Sequence, residues 1–238
     1  MISIVIPTLN EEKAIGTTLR QIKENLTGIP YEIIVADSVS EDRTREIASH
    51  YATVVETERG KTIAWNRNRG ADHTKGDFIV YVDADVTVPD PSRFFAIALD
   101  DFARDPKLLA ITCNIDILPA NATRTDRVMS WLVNQTVRFN NNVLKTGAAP
   151  GEFQMIRRSA FEAVHGYQEH LVVTEDNDMF RRLAKIGRTR FEHRLRVYQT
   201  GRRVHAVGWP KLLWSWLANY YSYLFLNRSY DKKWKEVR

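Results

Sequence analysis

Phe78-Ile79-Val80-Tyr81-Val82, followed by Asp83-Ala84-Asp85, sets the frame for the whole chain. Five consecutive apolar residues, rich in β-branched and aromatic side chains, predict a strand buried on both faces, as inside a parallel sheet. At its end residues i and i+2 point the same way, so the carboxylates of Asp83 and Asp85 can face one ion, or one ion and a ribose. Alone, Asp-x-Asp after a strand is equally well a turn that caps the next helix. Upstream, Ile2–Ile6 reads as a strand, and apolar residues at 15, 19, 22 and 26 give residues 11–26 a helix face. Tyr31–Ala36 is a second strand, residues 42–50 a helix, Thr53-Val54-Val55 a short strand and residues 61–73 a helix. This βαβαβ order predicts an α/β fold: a mostly parallel sheet with right-handed crossovers, flanked by helices, with ligands at the carboxyl ends of its strands.

The second half is looser. It reads as a helix over 92–102, a strand over 108–118, a long polar-faced helix over 123–142 and a small-residue loop over 146–151. A strand over 153–157, a short helix over 159–165 capped by Ser159, and a helix over 176–186 follow. Neither repeat nor interdomain linker interrupts this, so residues 1–209 are expected to be one domain and 210–238 a helical appendage. With 44% hydrophobic residues in 238, whole-chain disorder is excluded. The single cysteine, Cys113, excludes a disulfide scaffold and a thiolate zinc site. A cytoplasmic setting is the expectation, without a signal peptide, because the apolar run Ile2–Pro7 meets Asn10, Glu11 and Glu12 at once.

Three strand ends converge in such a sheet: Pro7-Thr8-Leu9-Asn10-Glu11, Asp37-Ser38-Val39-Ser40 and Asp83-Ala84-Asp85. Acidic side chains suit the hydroxyl and N–H donors of a nucleoside but repel its phosphates. A divalent cation resolves the conflict, since carboxylates bind the metal and the metal binds the diphosphate. Gly60-Lys61-Thr62 is not a phosphate loop, because Val55 stands where the first glycine belongs. A dehydrogenase would need Gly-x-Gly-x-x-Gly after the first strand, and a nucleotidyltransferase a glycine-rich amino-terminal loop; neither is present. The six histidines form no His-Glu-x-x-His pair, which leaves a zinc hydrolase unsupported.

Ile4-Val5-Ile6-Pro7-Thr8-Leu9-Asn10-Glu11-Glu12, Glu32–Ser38, Gly76–Asp85 and Glu175-Asp176 together resemble glycosyltransferase family 2, which has the GT-A fold, over residues 2–209. The resemblance implies a non-processive, inverting transfer of one sugar from a UDP- or GDP-sugar, with Mn²⁺ or Mg²⁺, to a glycan or lipid-linked acceptor. It implies that Pro7, Thr8, Asn10, Glu11 and Asp37 hold the nucleoside, that Asp83 and Ala84 lie on the donor side, and that Asp85 binds the metal. Arg67-Asn68-Arg69-Gly70 resembles a family motif, which implies that Arg67 orders the acids or touches the donor; as a bare residue it is equally a solvated arginine. Lys61 would meet the diphosphate. Gly151 and Glu175 would lie on the acceptor side, with Asp176 as general base rather than a mere helix cap. His205 resembles a late-loop metal ligand, its other reading being a surface histidine. Val39 departs from the glycine frequent in the family's turn, and the processive Gln-x-x-Arg-Trp signature is absent. The competing readings are a catalytically silent nucleotide-sugar or glycan-binding module, and a transferase to lipid phosphate that needs no base.

Charge divides unevenly. Residues 1–174 carry 19 Lys/Arg against 23 Asp/Glu, net −4, and residues 175–238 carry 15 against 6, net +9. Four of six tryptophans and four of nine tyrosines fall after residue 208, beside Lys232, Lys233, Lys235 and Arg238. Aromatics next to lysines suit a helix lying in a membrane interface on the cytoplasmic face; the alternative is a helix packed on the domain or on a second subunit as a homodimer. The 15 residues Leu212–Leu226 make roughly 22 Å of helix, short of the about 30 Å a span requires. No nucleic-acid reading module is found, so nucleic acid is not an expected partner.

Overall fold

The computed structural model describes residues 1–232; Lys233, Lys235 and Arg238 of the expected basic tail lie outside the described residues. In chain order the elements are β1 (Ile2–Thr8), α1 (Ile15–Asn25), β2 (Tyr31–Asp37), α2 (Thr44–Ser49), β3 (Thr53–Glu56), α3 (Ile63–Asp72), β4 (Phe78–Val82), β5 (Val86–Thr87) and α4 (Pro91–Arg104). Then come β6 (Leu108–Ile117), α5 (Arg124–Arg138), a π-turn (Phe139–Leu144), β7 (Phe153–Arg157), α6 (Arg158–Ala163), α7 (Glu175–Ile186), β8 (Arg188–Gln199), α8 (Arg202–Val207) and α9 (Trp209–Leu226).

All eight strands join one sheet in the order β3-β2-β1-β4-β7-β6-β8-β5. β1 pairs in parallel with β2 and β4, and β2 with β3, which makes the parallel half. β7 enters antiparallel between β4 and β6, β8 runs parallel to β6, and β5 closes the edge antiparallel to β8. The inner parallel strands β1, β2 and β4 are largely buried on both faces, which is why their sequences are mostly apolar. Ile4 and Ile6 face Leu19 and Ile22 of α1 and Phe94 and Phe95 of α4. Val5 faces the other way, towards Ala64 of α3, Tyr81, and Met179 and Phe180 of α7. α3 lies so close to β1 that a Cβ on Gly70 would stand 2.4 Å from Val5 Cγ1. That approach seats Arg67, one turn earlier on α3, in the interior, 1% exposed.

The sequence reading needs correction in three places. Ser159 does not cap α6: the helix starts at Arg158, whose N–H is taken by the Asp77 carbonyl at 2.9 Å. β8 is a 12-residue strand that its charged residues conceal; Arg188 pairs with Asp105, and Arg190 and Arg194 with Asp101. The helix expected over 123–142 is capped by a Thr123/Asp126 capping box, turns to π winding after Arg138, and is not polar on its outer face. Its buried residues are Asp126, Ser130, Asn134 and Val137. Among the described residues no helix is long and apolar enough to cross a membrane.

Candidate functional site

The ends of β1 and β2 build one pocket wall. Asp37, fully buried, accepts from Thr8 Oγ1 at 2.8 Å, from the Ser40 N–H at 2.8 Å and from Ser40 Oγ at 2.5 Å. Ser40 Oγ in turn accepts from the Asn10 N–H at 2.8 Å, and Asn10 Oδ1 accepts from the Glu41 N–H at 2.7 Å. Asn10 and Val39 both take positive φ, 54° and 59°. For β-branched Val39 this is a strained conformation that glycine would adopt freely. A cavity of about 310 Å³ opens here, lined by Asn10, Glu11, Glu41, Asp42 and Arg202 among others. A larger cavity, about 870 Å³, lies away from these strand ends, between the end of α4, the π-turn and the start of β8.

Arg67 is the centre of a second, buried group. Its Nη1 donates to Glu175 Oε1 at 2.8 Å, its Nη2 to the Gly151 carbonyl at 3.0 Å and to Asp83 Oδ1 at 3.4 Å, and its guanidinium stands 5.4 Å from the centre of the Tyr167 ring. One guanidinium thus joins the end of β4 to the start of α7. Asn68 holds the neighbouring loop: it donates to the Tyr167 carbonyl at 2.9 Å and accepts from the Tyr167 N–H at 2.8 Å. Thr174, just before α7, is buried at φ 75° with its hydroxyl unpaired, a cost that backbone pays where the following residues are held in place. Asp176 follows in the first turn, with Oδ1 accepting from the Asn177 N–H at 2.7 Å. A Cβ on Gly151 would lie 2.9 Å from Arg67 Nη2 and 3.4 Å from Asp176 Oδ2, so Gly151 lets these two groups approach.

Acids outnumber cations in this space. Burial, with the charges of Asp83, Asp176 and Asp85, pushes the Glu152 carboxyl up to about 8. Burial and the charge of Asp176 raise Glu175 to about 8 against the pull of Arg67, and burial raises Asp83 to about 6 and Asp176 above its usual range. Asp85 accepts from Thr200 Oγ1 at 2.5 Å and pairs with Arg202 Nε at 3.2 Å. The same guanidinium grips Glu11 through both oxygens, at 2.7 and 2.6 Å.

Of the residues singled out in the sequence, the structure brings Asp83, Gly151, Glu175 and Asp176 around Arg67, Thr8 and Asn10 around the Asp37–Ser40 turn, and Glu11 and Asp85 around Arg202. Pro7 lies in β1 opposite Ala36. The others lie apart from these groups. Ala84 turns its carbonyl to Thr18 Oγ1 of α1, at 2.7 Å. Lys61 is half-exposed, paired with Glu58 at 3.2 Å and close to the Trp65 ring. His205 bonds Asp126 through Nε2 at 3.0 Å, and Arg202, three residues earlier, pairs with Asp85. Glu152 and Arg202 were not singled out in the sequence, although Glu152 adjoins Gly151 and Arg202 lies three positions before His205.

Mg²⁺ and Mn²⁺ are hard cations that take one or two carboxylates from the protein and the rest from phosphate and water. Among the described residues no three His, Cys, Asp or Glu side chains form a ready-made cage. The half-buried pair Asp83 and Asp85, crowded by Glu152 and already drawing in the Arg202 cation, nevertheless fits that requirement. The raised carboxyls give a pH test. Between the ordinary value of 4.5 and about 8 the folded chain keeps a proton on Glu152 and Glu175 that the unfolded chain has released. Stability is therefore fully present below that window and falls as pH rises through it. In chelator the melting temperature should drop between about pH 5 and about pH 8 beyond any change in a Glu152→Gln variant, and Mn²⁺ should reduce the drop. A flat profile would remove the acid cluster as its cause.

A family profile described as Glycosyl transferase family 2 matches residues 3–164. The succinoglycan biosynthesis protein ExoA of Rhizobium meliloti (strain 1021) is 28% identical over 193 residues, 77% of this chain and 58% of the relative, so this chain spans little more than half of that protein's length. The mannosyltransferase PcManGT from Pyrobaculum calidifontis, solved in complex with GDP-Man and Mn²⁺, matches with a TM-score of 0.67 at 23% identity over 84% of this chain and 56% of that one. Glucosyl-3-phosphoglycerate synthase from Mycobacterium tuberculosis, solved with Mn²⁺, UDP and glucosyl-3-phosphoglycerate, matches with a TM-score of 0.61 at 20% identity over 92% and 77% of the two chains. These likenesses establish the GT-A fold: a curled mixed sheet flanked by helices.

Proposed function

From the premise that this chain belongs to glycosyltransferase family 2, we infer that it is a metal-dependent, inverting glycosyltransferase that moves one sugar from a UDP- or GDP-sugar to a hydroxyl of a glycan or lipid-linked acceptor. The observation that carries this reading is the Arg67 junction, which joins the Asp83 carboxylate at the end of β4 and the Glu175-Asp176 turn at one guanidinium. The turn built on Asp37, with Thr8 and Asn10, receives the nucleoside. Asp176 accepts the proton of the attacking hydroxyl, and its raised affinity for protons suits that role. Glu175 and Arg67 position it. Bound by Asp85 with Asp83 beside it, Mn²⁺ or Mg²⁺ would supply positive charge against the diphosphate as it leaves. Arg202, now on Glu11 and Asp85, stands where a diphosphate would meet it.

Thermal shift with UDP, GDP and their sugars, with and without Mn²⁺, tests the proposal. A nucleotide of one base at about 100 times its Kd should stabilise the chain by about 2.7 kcal/mol, with a smaller gain when Mn²⁺ is omitted. No shift with any nucleotide would overturn the reading.

A further inference from the structure

α5 and the π-turn carry polar side chains inward and apolar ones outward. Inside, Asn134 accepts from the Ile115 N–H and donates to the Ile115 carbonyl, both at 3.1 Å, and Asn141 donates to the Val137 carbonyl at 2.9 Å and the Ala148 carbonyl at 2.6 Å. These amides satisfy backbone groups of β6 and of the loop after the π-turn, so the buried side of the helix, Val137 apart, is polar. Outside, Val128, Trp131, Leu132, Phe139, Val143 and Leu144 are 45–61% exposed. Their three- and four-residue steps align them, and the i→i+5 winding of the π-turn keeps Val143 and Leu144 beside Phe139. A helix facing water has the opposite polarity.

α9 repeats the arrangement. Asn219, fully buried, bonds the Ser215 carbonyl, Asp231 and the Tyr230 N–H, whereas Trp214 and Phe225 are 72% and 80% exposed with Leu217, Tyr221 and Leu224 along the same stripe. The two helices are tied at one corner, where Asp126 accepts from Trp209 Nε1 at 2.7 Å. Arg124, Arg127, Arg138 and Lys145 accompany the first stripe, and Lys211, Arg228 and Lys232 the second. The only acids over 124–145 and 209–232 are Asp126 and Asp231. Both are engaged internally, Asp126 with Trp209 and His205, Asp231 with Ser215 and Asn219.

We infer that these two stripes are the surface by which the chain docks on an anionic lipid bilayer. Aromatic and aliphatic groups enter the boundary between headgroup and acyl chain, and the flanking cations meet the lipid phosphates. A second copy fits less well, because two-fold pairing sets cation against cation with no free acid in either stripe to answer it. The inference goes beyond the transfer reaction, and vesicle binding, which needs neither donor nor metal, tests it separately.

Sedimentation of the full chain with phosphatidylcholine vesicles, with and without phosphatidylglycerol, should show binding that requires the anionic lipid and weakens as salt rises. Val143→Glu combined with Trp131→Glu, and separately Phe225→Glu, should each weaken it by at least about tenfold, with circular dichroism and gel-filtration volume unchanged. No binding by the intact chain, or binding indifferent to the paired substitution, overturns the inference. So does a dimer that these substitutions split while the intact chain ignores vesicles, which would assign the stripes to a second copy.

Discussion

Asp176→Asn should lower sugar transfer by about 10²- to 10⁴-fold and leave nucleotide binding unchanged. The amide has the volume of the carboxylate and still accepts from the Asn177 N–H, now bonded at 2.7 Å. What it loses is basicity at the oxygen facing Gly151 and Arg67. Removing one charge from a crowded acid cluster relieves repulsion, so the melting temperature should hold or rise. A loss of transfer accompanied by loss of nucleotide binding would make Asp176 structural. Transfer that stays within about tenfold would point instead to an acceptor already ionised, such as a lipid phosphate, which needs no base.

Arg67→Met should destabilise the fold by about 3–5 kcal/mol, the cost of leaving buried acids without their partner. Arg67 is 1% exposed and holds Glu175, Asp83 and the Gly151 carbonyl at once. Methionine fills much of the volume but answers no charge. Lysine restores the charge without the planar fork, so Arg67→Lys should fall between the two. The charge mechanism has its own signature. Protonating Glu175 and Asp83, whose carboxyls sit at about 8 and about 6, neutralises the orphaned acids. Urea unfolding at about pH 5 should therefore show a smaller deficit than at about pH 8. Equal deficits would make packing, not charge, the reason for Arg67.

The parallel half of the sheet was legible because burial on both faces leaves mostly apolar residues in β1, β2 and β4. β8 was not, because its arginines find most of their acids far away in sequence, on Asp101 of α4, on Asp105 just after it and on Asp116. Periodicity revealed the α5 helix but not which side faces inward: the usual assumption that apolar means buried fails where asparagines bond the strands. In the site, Asp83, Asp85, Arg67 and Glu175-Asp176 stand in local patterns, and it was the family resemblance of those patterns that singled them out. Arg202 was not among them, and it reaches Glu11 across 191 positions. His205 stood out through its resemblance to a late-loop metal ligand; its bond to Asp126, 79 positions away, has no signal in the local sequence.

α8 is six residues long, about 9 Å of helix, with Gly201 at φ 78° before it and Gly208 at φ 85° after it. Arg202 at its head rests on Glu11 and Asp85, and just past its foot Trp209 rests on Asp126. α8 is thus a short spacer held at both ends, and α9 beyond it is fastened to α7, where Arg181 donates to the Tyr220 hydroxyl at 2.9 Å and the Tyr223 hydroxyl to Asp178 at 2.8 Å. The guanidinium over Asp85 and the aromatic helix are thereby set at one distance from each other.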